Sequence, residues 1–274
     1  MKLTYLGTAA AEGFPAVFCN CEYCQKARVL GGKNIRTRSQ TLINDDLLID
    51  LPADTYHHFL QNGIEGHKIK YLLVTHSHQD HFYLDELAMR HGPFAHNMKA
   101  ERIHVFANKG AYKKLKKMEG IKKFGIDFVK IKPFETVTFG DYKATGLPAH
   151  HFDGDGALNY IIEQNGKKIL YAHDTGYFYD EVFEYIKDNK IVFDMITLDC
   201  NHVDERVSDN GCHMGIENNE RVVKKLAEMG AVTEKTQKFV NHFSHNSEPF
   251  QDRIETLVKP IGFEVSYDGR VVEL

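Results

Sequence analysis

Apolar and polar positions fall in blocks along this chain, and the apolar blocks read as strands that end in reactive side chains. Lys2 to Leu6 predicts a first strand, and Gly7 to Gly13 a small-residue loop able to approach a site closely. Gln40 to Ile43 and Leu47 to Asp50 flank Asn44-Asp45-Asp46 as a hairpin. Ala53 to Gln61 carries a short helical pattern that stops at Gly63, and Ile69 to Val74 is an apolar run of buried-strand type. Tyr83 to Arg90 predicts a helix ending before Gly92-Pro93, Arg102 to Phe106 a strand, and Lys109 to Met118 a basic helix. From Phe128 onward strands dominate: Phe128 to Ile131, Thr136 to Phe139, Tyr142 to Leu147, Leu158 to Glu163 and Lys168 to Ala172. The turn Gln164-Asn165-Gly166 joins the last two as a hairpin. Tyr179 to Lys187 is a helix, Phe193 to Leu198 a strand, Glu217 to Met229 an amphipathic helix, and Phe239-Val240-Asn241 another strand end. Pro249 to Val258 predicts a closing helix, and Phe263 to Tyr267 with Val271 to Glu273 a last hairpin around Asp268-Gly269. No short-period repeat and no low-complexity linker interrupts the series. Two halves rich in antiparallel strands, each with helices outside, predict an α/β protein of the α+β type: a four-layered αββα sandwich in one domain over residues 1–274.

Composition narrows the picture. A chain of 274 residues is long enough to bury a sizeable core. The formal charge is −4, which argues against a nucleic-acid or anionic-membrane surface but not against a small anion held locally. No segment reaches the roughly 18 apolar residues of a membrane span, and the amino terminus lacks a long apolar signal segment. A soluble cytoplasmic protein is expected. The odd number of cysteines, five, speaks against a closed disulfide framework. In a reducing compartment the run Cys19-x-Cys21-x-x-Cys24 points to zinc, with a distant histidine as the fourth ligand. Redox chemistry by Cys21 and Cys24 fits less well, because such a pair usually opens a helix within a thioredoxin-like βαβ pattern, and that pattern is not visible here.

The densest chemistry follows the Ile69–Val74 strand: His76, His78, Asp80 and His81 lie within six residues. A strand packed on both faces cannot direct three imidazoles and a carboxylate into its core without partners, and a metal supplies partners to all of them together. His76 and His78 alternate and point the same way in extended backbone, whereas Asp80 and His81 are adjacent and diverge, which suits two metals better than one. Later strand ends repeat the pattern with His150-His151, His173-Asp174, Asp199-Cys200-Asn201-His202 and His242-Phe243-Ser244-His245. Several strand ends delivering histidine and aspartate to one edge is how a sandwich builds a metal site.

The run His76-x-His78-x-Asp80-His81, followed in order by His151, Asp174 and His242, resembles the metallo-β-lactamase superfamily over nearly the whole chain. Four local matches make it similar to the PhnP branch, the phosphoribosyl cyclic phosphate phosphodiesterases: Cys19-x-Cys21-x-x-Cys24, Asp174-Thr175, Asp199-Cys200-Asn201-His202 and His242-Phe243-Ser244-His245. The resemblance implies a dinuclear site with His76, His78 and His151 on the first metal, Asp80, His81 and His242 on the second, and Asp174 bridging. It also implies a structural zinc on Cys19, Cys21, Cys24 and His245. His151 matches the family's spacing better than His150, and His150 and His173 are expected to be packed or solvent-facing histidines. Asp50 resembles a carboxylate that orients a ligand histidine. The implied reaction is hydrolysis of a small cyclic or diester phosphate by a hydroxide generated between two divalent metals, manganese or zinc, or else iron. Asp80 supplies charge stabilisation, and His213, with His202 as its rival, is the acid for the leaving oxygen.

Three other readings stay open: a thioester or lactone hydrolase on the same scaffold, a tRNA 3′-processing nuclease, and a non-catalytic metal-binding protein. Near-neutral charge without a basic arm suits tRNA poorly, so nucleic acid is not an expected partner; a membrane is not either, and a homodimer is the default assembly. Residues 94–128 form a long basic stretch relative to the PhnP branch, expected as a lid or a dimer surface.

Overall fold

The computed structural model of the chain describes residues 1–152 and 154–274. The elements run β1 (Lys2–Gly7), α1 (Glu22–Leu30), β2 (Gln40–Ile43), β3 (Leu47–Ile49), α2 (Thr55–Asn62), β4 (Tyr71–Val74), β5 (Ile103–Ala107), α3 (Lys109–Lys117), β6 (Ile126–Lys130) and β7 (Thr136–Phe139). They continue with β8 (Tyr142–Pro148), β9 (Leu158–Gln164), β10 (Lys167–Ala172), α4 (Asp180–Asp188), β11 (Met195–Asp199), α5 (Ile216–Glu228), β12 (Gln237–Asn241), α6 (Gln251–Val258), β13 (Glu264–Val265) and β14 (Val271–Glu273). Two seven-stranded sheets result, in the orders β14-β1-β2-β3-β4-β5-β6 and β13-β12-β11-β10-β9-β8-β7.

Strand sequence explains strand placement. In β4, Leu73 enters the core between the sheets, while Leu72 and Val74 enter the core on the outer face. In β11, Met195 faces inward and Ile196 and Leu198 outward. Both strands lie in parallel pairs, β3-β4-β5-β6 and β10-β11-β12-β13, and burial on both faces accounts for their unbroken apolar runs. The helices cover the outer faces. Val182, Phe183 and Ile186 of α4, Val222 and Leu226 of α5, and Ile254 and Val258 of α6 lie on the second sheet. Ala111 and Leu115 of α3 lie on the first. The layers are therefore helix, sheet, sheet, helix, as the pattern predicts. Among the described residues no helix is long and apolar enough to cross a membrane.

Four details depart from the sequence reading. The halves are mixed rather than mainly antiparallel, since each sheet has a run of parallel strands whose pairing is set by distant partners. Tyr83 to Arg90 does not form an α-helix: Leu84–Met89 is a 3-10 turn without a side-chain cap, and among its residues only Leu87 is fully buried. The last hairpin does not form, because β13 pairs with β12 in the second sheet and β14 with β1 in the first. Asp268 turns the chain between them: its carboxylate accepts hydrogen bonds from Thr8 Oγ1 and from Thr37 N and Oγ1 at 2.6–2.7 Å. Finally, α1 was not expected, yet it begins just where the cysteines sit, with Cys21 Sγ accepting from Cys24 N at 3.5 Å as its cap. Residues 94–128 supply β5, α3 and the start of β6, which extend the first sheet.

One buried histidine ties α2 to this framework. His58 Nδ1 donates to Gln40 Oε1 at 2.6 Å, and Nε2 meets Thr37 Oγ1 at 2.7 Å. Burial lowers its pKa to about 4, although Asp54 pulls the other way. The unfolded chain therefore takes a proton near pH 6.5 that the folded chain refuses until about 4. The stability from a neutral His58 is complete above pH 6.5 and is lost as pH falls to about 4, on the order of 3 kcal/mol. Urea unfolding of metal-free protein at pH 7.5 and 4.5 is expected to show a smaller drop for His58→Gln than for the wild type; an equal drop rules out this account.

Candidate metal centre

Six strand ends converge on one rim: those of β3, β4, β8, β10, β11 and β12 carry Asp50, the His76–His81 loop, His151, Asp174, Asp199 and His242. Asp50, Asp174 and His242 hold positive φ of 64°, 57° and 65°. Non-glycine residues seldom enter this left-handed region, and such strain concentrates at functional sites. Here it turns the chain sharply at the end of each strand.

Asp174 is the centre of the cluster. Its Oδ2 lies 3.1 Å from His76 Nε2, 3.2 Å from His81 Nε2 and 3.9 Å from His242 Nε2, and its Oδ1 lies 3.3 Å from His151 Nδ1. Asp80 Oδ2 is 3.3 Å from His81 Nε2, and His78 Nδ1 is 3.2 Å from His151 Nε2. The last of these is a hydrogen bond, but His76 Nε2, His81 Nε2, His151 Nδ1, His242 Nε2 and Asp174 Oδ1 are all buried without a hydrogen-bond partner. Leaving one such atom unsatisfied costs about 1–3 kcal/mol, and a shared cation satisfies all of them together. The ligand atoms fall into two groups, His76, His78, His151, Asp174 and Asp80, His81, Asp174, His242, each within 4.8 Å throughout, with Asp174 in both.

Two buried carboxylates behind the cluster aim its imidazoles. Asp50 accepts from Thr75 N at 2.8 Å and from Thr75 Oγ1, and its Oδ2 meets His81 Nδ1 at 2.7 Å. The Thr75 hydroxyl donates to Asp50, and its Oγ1 lies 3.0 Å from His76 Nδ1. Asp199 Oδ2 lies 3.0 Å from His242 Nδ1 and accepts from Asp174 N at 3.0 Å, while Oδ1 accepts from Met214 N at 2.9 Å. Such partners fix tautomer and ring orientation at metal sites.

The protonation states suit ligation. Burial lowers His151 to about 4 and also lowers His78, so both stay neutral. Burial would raise Asp80 and Asp174, but the surrounding histidines outweigh it and hold both carboxyls well below their usual range. His81 is pushed the other way: burial would lower it, yet Asp80 and Asp50 keep it protonated well above the usual value. A proton thus stands among carboxylates where a cation would displace it.

A second cluster sits beside the rim. Cys19, Cys21, Cys24 and His245 place their ligand atoms within 4.8 Å of one another. Cys24 Sγ lies 3.5 Å from His245 Nδ1 and accepts from Ala16 N at 3.3 Å, and Cys19 Sγ accepts from Cys21 N at 3.4 Å. The Cys24 N–H, with His245 assisting, lowers Cys21 to about 6, although partial burial opposes it. Burial pushes Cys24 up to about 11, and three sulfurs with one imidazole in this number fit zinc.

The remaining candidates separate clearly. His213 Nδ1 lies 3.2 Å from Asp174 Oδ1 and 3.3 Å from Asp199 Oδ2. Burial alone would lower it, but Asp199 and Asp174 push it up to about 11, so it stays protonated. His202 is set back, its ring 6.1 Å from that of His213 and its Nδ1 3.5 Å from Glu205. His150 faces Tyr177 O at 3.2 Å and stacks on Tyr179, outside the cluster. His173 is packed against Tyr171 and bonded to Thr197 Oγ1 at 2.7 Å. Sequence reasoning noted Asp199 as a strand-end residue within a PhnP-like match and gave it no role of its own. Its signal was present: it ends an apolar strand as Asp50 does. Asp155, which accepts from Ser77 N and Oγ at 2.9 and 2.5 Å, had no periodic signal at all.

Residues 48–243 match the family described as the β-lactamase superfamily domain. No curated protein matches the chain. Among solved structures it is similar to a diphosphatase from the PhnP family (22% identity, TM-score 0.75, covering 100% of this chain and 96% of that one). It is also similar to zinc-bound PqqB from Methylobacterium extorquens (18%, 0.75, 100% of both chains) and to the short form of human tRNase Z (14%, 0.64, 100% and 99%). These likenesses establish a shared fold.

Asp50→Ala and Asp199→Ala are each expected to weaken divalent-metal retention about 10–100-fold, read by chelator competition with elemental analysis. Retention equal to the wild type would mean that these carboxylates serve only the fold.

Proposed function

Because this chain belongs to the metallo-β-lactamase superfamily, over more than half its length and with the four-layered fold to match, we propose that it is a metal-dependent phosphodiesterase of PhnP-like type, cleaving a small cyclic or diester phosphate. The observation that carries the reading is the pair of ligand groups joined at Asp174. The fold family implies divalent metals, and the orphaned buried donors fit them. His76, His78, His151 and Asp174 would hold one ion, Asp80, His81, His242 and Asp174 a second, and Cys19, Cys21, Cys24 and His245 a structural zinc. When bound, a divalent pair supplies Lewis acidity that acidifies water and neutralises charge on phosphoryl oxygens.

The chain's own residues do the rest. Asp80 and Asp174 stay ionised and hold the ligand imidazoles in place. Asp50 bonds the Nδ1 of His81 and Asp199 stands 3.0 Å from the Nδ1 of His242, so the Nε2 atoms of both rings face inward. His213, protonated between Asp174 and Asp199, is the group placed to give a proton to a leaving alkoxide. His202, the rival acid, lies behind it and pairs with Glu205. The similarity to a PhnP-family diphosphatase and to human tRNase Z supports phosphate chemistry on this scaffold without fixing the substrate.

A panel after metal loading tests the reading, with bis-p-nitrophenyl phosphate, nucleoside and ribose cyclic phosphates, a thioester, a lactone and a precursor tRNA. Turnover of phosphodiesters that disappears in Asp80→Ala is expected. Turnover confined to the thioester or lactone, or to the tRNA, selects a rival, and phosphodiester rates equal in both proteins would falsify the proposal. His213→Asn is expected to slow ribose or alkyl leaving groups by about 10²–10⁴-fold and p-nitrophenolate much less, since that group departs without a proton.

A further inference from the structure

One apolar ring stands in the open at the mouth of the metal centre. Phe152 is 61% exposed, yet its ring centroid lies 4.9 Å from that of His151 and 5.6 Å from that of His78. Both histidines belong to the first ligand group. Single exposed apolar side chains are ordinary on a protein surface. What marks Phe152 is its place. Of the exposed aromatic side chains Phe18, Tyr56, Phe94, Phe152 and Tyr179, Phe152 alone among the described residues has its ring against ligand histidines. Phe94 meets His91 instead, and Tyr179 stacks on His150, outside the cluster. The two imidazoles meet Phe152 at 59° and 66°, tilted or edge-on, and among the described residues no ring stacks parallel on it.

The backbone on either side of Phe152 is held to the site. His150 N donates to Thr175 Oγ1 at 3.0 Å, and His150 O accepts from Gly176 N at 2.8 Å, just after the central Asp174. Ala149 N donates to Ala157 O at 3.0 Å. Beyond Phe152, Asp155 accepts from Ser77 N at 2.9 Å and Ser77 Oγ at 2.5 Å, between the ligands His76 and His78. Asp155 also accepts at 2.7 Å from Asn108 Nδ2, and Asn108 caps α3 through Ala111 N at 2.9 Å. Phe152 is thus carried between two anchors that belong to the metal-site loops. His151 neighbours it on one side and His213 on the other, with ring centroids 4.9 and 5.7 Å away. One imidazole therefore separates the exposed ring from the group placed to act as the acid, a gap that a sugar ring spans.

We infer that Phe152 is a specificity-determining residue: its ring is a platform for a flat heteroaromatic group, a nucleobase in chemical class, that the substrate carries one sugar away from the phosphate that reacts. The substrate is then a small nucleoside phosphodiester rather than a sugar phosphate without a base. The inference rests on the phosphodiesterase reading and narrows its substrate. Phe152 takes no part in bond making. A ring so placed could serve instead as a cover for His78 and His151, and experiment separates the two roles.

The test compares adenosine 2′,3′-cyclic phosphate with methyl riboside 2,3-cyclic phosphate, which keeps the reacting ring and lacks the base. Both are assayed on metal-loaded wild type, Phe152→Ala, Phe152→Leu and Phe152→Trp, with metal content read by elemental analysis. The wild type is expected to prefer the adenosine compound in kcat/KM by about tenfold, expressed in KM, as base stacking on an aromatic side chain supplies. The preference should vanish in Phe152→Ala, stay absent in Phe152→Leu, which restores bulk without a flat face, and persist in Phe152→Trp. All four proteins should hold the same metal. A preference equal in wild type and Phe152→Ala, or fully kept in Phe152→Leu, overturns the platform. So does metal lost from Phe152→Ala and kept by Phe152→Leu, the mark of a cover. If neither compound turns over, the phosphodiesterase reading fails, and calorimetric titration of metal-loaded protein with adenosine 5′-monophosphate and ribose 5-phosphate decides the platform alone. Nucleotide binding about tenfold weaker in Phe152→Ala with ribose 5-phosphate binding unchanged supports it, and equal nucleotide binding overturns it.

Discussion

One buried carboxylate, Asp174, organises the rim of this molecule. It faces five imidazoles from four other segments, and it is buried with an oxygen that has no hydrogen-bond partner. Such a cluster leaves buried polar atoms that a shared cation would satisfy together. The two ligand groups that meet at Asp174 therefore form a single electrostatic unit. Each backbone turn that serves it at positive φ is held by the sheets behind.

The support comes from both sheets. Asp50 follows β3 in the first sheet and Asp199 ends β11 in the second. Each bonds backbone of the neighbouring strand end, and each faces the Nδ1 of one histidine. Tyr160 Oη, reaching from the second sheet to Val74 O at 2.7 Å, ties the end of β4 to the opposite half. The histidine loop is thereby held by side chains of both sheets, and Asp155 adds a third anchor that brings α3 along. The thiolate cluster does related work at the amino terminus. It holds α1 and the Cys19–Cys24 loop against His245, just beyond the β12 end that carries His242.

The sequence was most legible where a signal is local. The spacing of His76, His78, Asp80 and His81 after an apolar run marked the metal loop, and the apolar blocks marked most strands within a residue or two. Asp50 was readable as an orienting carboxylate because it directly follows such a block. The thiol cap of α1 was missed because Cys21 is not an ordinary capping residue, and its sulfur caps only in the geometry that the cluster imposes. The 3-10 turn at Leu84–Met89 was missed because an apolar pattern alone does not supply a cap.

By itself the sequence determined the layers, the strand blocks and the donors, since period-two and helical patterning and ligand spacing are properties of neighbouring residues. Only the tertiary structure decided that β13 and β14 belong to different sheets and that Asp199 and Asp155 brace the site. Those outcomes depend on partners many residues away: a strand's sheet is set by whose backbone it meets, and a carboxylate's role by which donors the fold brings within about 3 Å of it.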